Sequence, residues 1–266
     1  MFNTPQKRVP LLTDFQLEEF QKVVQWRSGC PLPDGRYLGY AEDEKPGSWK
    51  AGAGRDRRVQ ALLDHASPAN KVILELGSCE GVLSVQLAAI CKKVVALEVR
   101  PRNITCALIR AYLHGVRNCE FHIADVRDLD QNIGKFDILF HAGVLYHLAN
   151  PLEHLFRIRT VADTMLLDTH YGQRSDMEAT SIDFQGKNYD AYVYNEHGWS
   201  DSFSGVEDHS LWLSRESLLS ALTEFGFGKV SVLHDEETPA GSRIILIAKR
   251  NRRFSWRTIS RQIGFR

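Results

Sequence analysis

The chain has 266 residues, 43% of them hydrophobic and 25% charged, which suits one large globular domain with additions. A formal net charge of +0 excludes a global pull toward nucleic acid, and no apolar run approaches the roughly 18 residues of a membrane span. The opening MFNTPQKRVPLLTDF lacks a signal-peptide core and the five cysteines form no C-x-x-C pair, so a cytoplasmic protein with reduced, packed thiols and no metal site is expected.

Residues 1–12 read as a lead-in. Thr13-Asp14-Phe15-Gln16 is a capping-box pattern, and Phe15, Phe20, Val23 and Val24 follow at helical spacing. Residues 27–54 are rich in Gly, Pro and charge and predict mostly loop. Residues 55–66 predict a helix with Val59, Leu62 and Leu63 on one face. An alternation follows: strand KVILELG (71–77), helix GVLSVQLAAIC (81–91), strand KVVALEV (93–99), helix PRNITCALIRAYLHG (101–115) and strand CEFHIA (119–124). It continues with strand FDILFHAG (136–143), helix PLEHLFRIRTV (151–161) and strand TMLLDTHY (164–171). Such alternation predicts an α/β fold, a doubly wound, mostly parallel sheet with helices on both faces. Residues 172–212 are polar and aromatic without clear period, which marks an inserted functional segment or a hairpin packed on the sheet edge. A capped helix (214–228) and a closing strand pair, KVSVLHD and SRIILIAK, complete the domain at about 250.

The first strand runs into a turn holding Gly77 and Gly81, and the next strand ends in Glu98. This is the layout of a nucleotide site, but a dinucleotide turn wants G-x-G-x-x-G. Here the third glycine is missing and Glu75 and Glu80 are present. Two carboxylates would repel a pyrophosphate and suit a ligand with a ribose, an ammonium and no phosphate.

These segments resemble the class I methyltransferases that use S-adenosylmethionine (SAM). ELGSCEG (75–81) is similar to their first motif, Glu98 to the acid after the second strand, and Ala124-Asp125 to the pair after the third. FDILFHAGVLYHLANPLEHL (136–155) resembles the fourth-strand motif, and HSLWLSRESLLSALTEFGFGKVSV (209–232) a late segment. The resemblance covers about residues 55–250 and implies a seven-stranded sheet with SAM as cofactor. It implies a cofactor set of Glu75, Gly77, Ser78, Gly81, Glu98, Val99, Asp125, Val126 and Gly143. In that set Glu75 lies near the SAM amino group, Glu98 takes the ribose hydroxyls and Asp125 takes the adenine amino group. Within the family, GVLYHLANPLEHL most resembles the branch that includes tRNA wobble-uridine carboxymethyl-transferring enzymes, which use a carboxylated SAM. Ordinary SAM is the expectation.

A hydroxyl acceptor needs its proton removed, which histidine does well near neutral pH. His147 follows the fourth strand and His170 ends the fifth, at the carboxyl edge where open parallel sheets bind ligands. Both are candidate catalytic residues, whereas His141, inside a strand, reads as structural. Tyr146, Tyr192, Tyr194, His197 and Trp199 are candidates to contact a small-molecule or glycan-type acceptor. The expected organisation is a helical extension (1–54), a SAM-binding domain (55–250) with the acceptor-binding insert 172–212, and a basic tail (251–266). The stretch 249–266 has seven basic and no acidic residues with interleaved aromatics, which suits a weak contact with an anionic surface, lipid or RNA. The leading expectation is methyl transfer to oxygen or nitrogen of such an acceptor. RNA modification and a non-catalytic SAM-binding subunit are the alternatives.

Overall fold

A computed structural model describes residues 12–39, 49–50, 54–173 and 177–250. The expectations for the lead-in 1–11 and the tail 251–266 lie outside these residues. The described residues divide after Asp125 into two compact units.

In the first unit, α1 (Asp14–Val23) opens with both bonds of its capping box: Gln16 N–H donates to Thr13 Oγ1 at 3.2 Å, and Thr13 N–H to Gln16 Oε1 at 2.9 Å. The span 27–54 differs from the expected loop. It holds β1 (Ser28–Pro31), β2 (Tyr37–Leu38) and β3 (Trp49–Lys50), joined in the order β2-β1-β3. Strands this short carry no readable alternation. Next come α2 (Arg57–Ala66), β4 (Val72–Leu76), α3 (Val82–Ala88), β5 (Lys93–Glu98), α4 (Pro101–Leu113) and β6 (Cys119–Ile123). Pairings β4–β5 and β5–β6 are parallel.

The second unit contains β7 (Phe136–Ala142), α5 (Pro151–Ile158) and β8 (Ala162–His170), with β7 and β8 parallel. Residues 172–212 are more regular than their composition suggested. They contribute β9 (Glu178–Phe184), β10 (Lys187–Asn195) and β11 (His209–Leu213), a separate antiparallel sheet in the order β11-β10-β9. Gln185 and Gly186 join β9 to β10 with φ of 54° and 77°, the paired positive values of a two-residue hairpin turn. The chain closes with α6 (Arg215–Glu224), β12 (Lys229–Thr238) and β13 (Gly241–Lys249). The main sheet runs β12-β13-β8-β7-β4-β5-β6, seven strands with only β12–β13 and β13–β8 observed antiparallel. This is the α/β fold expected. Near-continuous burial along β4, β8 and β13 reflects a sheet covered on both faces.

Candidate functional site

In the first unit the expected cofactor residues gather at the carboxyl ends of β4, β5 and β6. Gly77 follows β4 with φ of 67°, a conformation open to glycine at no steric cost. Ser78 N–H donates to the Leu97 carbonyl at 2.9 Å and ties the turn to β5. Glu98, at the end of β5, is buried and aligned by the backbone. Its Oε2 accepts from Cys79 N–H and its Oε1 from Arg100 N–H, both at 2.9 Å, and Asn103 Nδ2 approaches Oε1 at 3.3 Å. Val99 and Asp125 are half-buried just beyond the ends of β5 and β6.

Two residues of the turn serve the fold in ways the motif hid. Glu80 does not add to a negative turn. Its carboxylate accepts from Arg27 N–H, Ser28 N–H and Ser28 Oγ at 2.8, 2.8 and 2.6 Å, with Arg110 Nη2 at 3.8 Å and Arg102 Nη2 at 3.9 Å. The repulsion argument therefore rests on Glu75. At Gly81, a Cβ would lie 2.8 Å from Ala107 Cβ and 2.9 Å from its Cα. The missing side chain there lets α3 approach α4.

Glu75 is buried and accepts from Ser84 Oγ at 2.6 Å. Burial, opposed by the Ser84 bond, pushes its pKa up to about 7. Among the described residues, Ser78 Oγ and Asn103 Oδ1 are buried without a hydrogen-bond partner. A turn with positive φ, an aligned carboxylate, a buried carboxyl receptive to a cation and two orphaned polar atoms fit SAM.

In the second unit, Gly143 follows β7 with φ of 76° and donates its N–H to the Asp168 carbonyl at 2.9 Å. Val126 offers its carbonyl to His154 Nδ1 at 3.1 Å. A carbonyl only accepts, so His154 Nδ1 carries the proton and its Nε2 accepts from His141 Nε2 at 2.9 Å. His141 is fully buried, and burial holds its pKa well below the usual value.

His147 and His170 differ sharply. His147 Nδ1 lies 2.8 Å from Glu196 Oε1. Burial raises the pKa of Glu196, but bonds from His147, Ser204 and Gly205 outweigh it and bring the carboxyl down to about 2. Glu196 is therefore ionised at neutral pH and acts as the acceptor, so the shared proton sits on His147 Nδ1, and Nε2 is the ring nitrogen not engaged by the carboxylate. His170 Nδ1 bonds the Ser242 carbonyl at 3.1 Å, and burial, then Arg243, depresses its pKa to about 4. It is a weak base locked to backbone. Asp168 is wholly buried in a bidentate pair with Arg243, at 2.8 and 2.6 Å.

The aromatics form a ladder. Tyr194 stacks on Trp212 with centroids 4.8 Å apart and planes at 19°, and Trp212 stacks on His170 at 4.9 Å and 18°. Tyr146 stands edge-on to His170 at 4.7 Å and lies 4.2 Å from the His147 ring. Tyr192 packs where Gly172 leaves room: a Cβ there would meet its ring at 2.1 Å. His197 and Trp199 are exposed, on the loop after β10. Sequence reasoning missed Glu196 and Trp212. Only the late W-L segment pointed at Trp212, and nothing local marked Glu196.

A family model described as a methyltransferase domain matches residues 67–187. The structure is similar to the N-terminal domain of EvdMO1, solved in the presence of SAH and D-fucose. The TM-score is 0.70 at 27% identity, covering 92% of this chain and 100% of that one. These findings support a class I SAM-dependent methyltransferase. Curated methyltransferase relatives include a tRNA U34 carboxymethyltransferase of Geobacter sp. (strain M21), 26% identical over 155 residues, 56% of this chain and 44% of the relative. A ubiquinone biosynthesis O-methyltransferase of Nitrosococcus oceani (strain ATCC 19707) is 27% identical over 94 residues, 35% of this chain and 40% of the relative. The chain thus spans less than half the length of these two relatives. Among the described residues, no helix of this chain is long and apolar enough to cross a membrane.

Proposed function

We propose that the chain methylates a hydroxyl oxygen of a sugar-type small molecule, with His147 as general base. The observation that carries this reading is the His147–Glu196 pair, in which the carboxylate engages Nδ1 and not Nε2. When bound, SAM supplies a methyl group already activated by the sulfonium. Glu98 would hold the ribose, Glu75 the amino group and Asp125 the adenine, with Gly77 giving close access to backbone. His147 takes the hydroxyl proton, and Tyr146 and the Trp212–Tyr194 ladder present apolar ring faces with polar edges to the acceptor. The D-fucose named with the EvdMO1 domain supports a sugar-type acceptor.

The test is SAH release from SAM with a panel of deoxyhexoses and hydroxylated aromatics. His147→Ala should lower turnover about 100-fold or more and leave SAM affinity nearly intact. If SAM affinity falls in parallel, His147 is part of the cofactor wall. The tRNA U34 relatives favour a second reading, transfer of a carboxymethyl group to RNA. Turnover with carboxy-SAM and a mixed tRNA pool, and none with sugars, would select it.

A further inference from the structure

Glu196 follows β10 directly and gathers more than His147. Its Oε1 also accepts from Ser210 Oγ at 2.8 Å, and its Oε2 from Ser204 Oγ at 2.5 Å and Gly205 N–H at 2.6 Å. Ser204 Oγ in turn accepts from His197 N–H at 2.7 Å, and Glu196 N–H donates to the Asp208 carbonyl at 2.8 Å. Residues 196–210 are thus folded around one carboxylate. They also lie on the turn that carries the base, because a Cβ at Gly205 would sit 2.6 Å from the His147 carbonyl oxygen and 3.1 Å from Glu196 Cδ.

We propose that Glu196 is a positioning residue whose carboxylate couples the seating of residues 196–210 to the tautomer of His147. The inference rests on the reading of His147 as the base. One group performs both tasks: a carboxylate offers about four lone-pair sites, and all four donors here are protein groups. When the strap is seated, Glu196 is fixed and the imidazole must point Nδ1–H toward it. When the strap lifts, Glu196 loses Ser204 and Gly205, and the ring loses the partner that chooses its tautomer. His197 and Trp199 ride on the same strap, so an acceptor that touches them acts on the element that prepares the base. His170 is the other titratable ring that senses His147, and its own Nδ1 is held by the Ser242 carbonyl.

The test needs no acceptor. The full chain is labelled with ¹⁵N-histidine, and long-range ¹H–¹⁵N spectra at pH 7.5 report each imidazole tautomer, with His147 assigned by His147→Gln. The wild type should show a single Nδ1–H tautomer at His147. Gly205→Ala keeps Glu196 and His147 but introduces the Cβ that the His147 carbonyl excludes. It should convert the signal to an exchange-averaged mixture, and amide exchange over residues 197–210 should speed up about 10-fold or more. Glu196→Gln should do both as well. Ser204→Ala, which removes a single donor, replaces either variant that fails to fold by circular dichroism. The proposal is overturned if folded Gly205→Ala and Glu196→Gln retain the single tautomer, or if strap protection survives Glu196→Gln. Turnover retained by His147→Gln alongside the expected spectra would remove the base assignment and leave the coupling standing.

Discussion

Glu80 Oε2 accepts from both the backbone N–H and the hydroxyl of Ser28, so a residue of the cofactor turn fastens a strand 52 residues earlier. Arg110 completes the arrangement. It donates to the Glu80 carbonyl at 2.8 Å and to the Ser28 carbonyl at 3.2 Å, and its guanidinium lies 5.2 Å from the Trp26 ring centroid. Glu80→Ala would leave the fully buried Arg110 charge uncompensated, so urea unfolding should show a loss of about 3–5 kcal/mol. Calorimetry on the folded fraction should find SAM affinity within a few-fold of the wild type. A large affinity loss with unchanged stability would place Glu80 at the ligand instead.

The proposed role of Glu75 at the SAM amino group makes binding a proton-linked event. With its pKa up to about 7, the carboxyl is substantially protonated at pH 6.5 when no cation is near. An ammonium group selects the ionised form, so binding should release a proton, nearly one per site at pH 6 and almost none at pH 8.5. Calorimetry in two buffers of different ionisation enthalpy measures this directly. Equal heats at pH 6.5 would show that Glu75 does not hold the amino group.

The ladder separates packing from recognition. Trp212 is 3% exposed and touches Tyr146, His170 and Tyr194, whereas Tyr194 is 38% exposed. Trp212→Ala should cost about 3–5 kcal/mol of stability. Tyr194→Ala should change stability by less than about 1 kcal/mol and raise the acceptor KM more than the SAM KM. Steady-state kinetics beside thermal melts distinguish the two variants, and an unchanged acceptor KM in Tyr194→Ala would remove this ring from the site.

His170 should set an acid limit. Its folded pKa of about 4 lies below the ordinary 6.5, because burial and Arg243 disfavour the imidazolium. The unfolded chain therefore binds the proton first as pH falls. The stability carried by neutral His170 is full above 6.5 and is lost as pH drops toward 4, by about 3 kcal/mol. Glu75 works oppositely: its raised pKa favours the fold below the ordinary 4.5, and that contribution fades as pH rises through about 7. Urea midpoints of the wild type and His170→Asn between pH 4.5 and 7.5 should converge at the acid end.

The cofactor half could be read because its chemistry is local in sequence. Strand, turn glycine, helix and terminal acid follow in one run, and the sheet alternates at a period that hydrophobicity reports. The turn's other duties were hidden for the opposite reason. Glu80 meets Ser28, and Gly81 meets Ala107, only after the chain has folded back. The insert concealed its strands because its hairpin turns on Gln185-Gly186, where Asn or Asp would have signalled the turn. Glu196 lies 49 residues from His147, in a polar stretch that gave no reason to prefer it over its neighbours.

Among the described residues, the sheet β9–β11 shows few backbone attachments to its surroundings. Its ladder closes on itself, and the observed ties to neighbouring segments include Gly172 to Leu213, Ser214 to Asp190 and Leu211 to Leu148. Side chains such as Tyr192, Tyr194 and Trp199 can therefore be exchanged without altering the register of any parallel strand. A library confined to residues 177–200 should therefore yield altered acceptor preference from clones that still fold and still retain the cofactor turn.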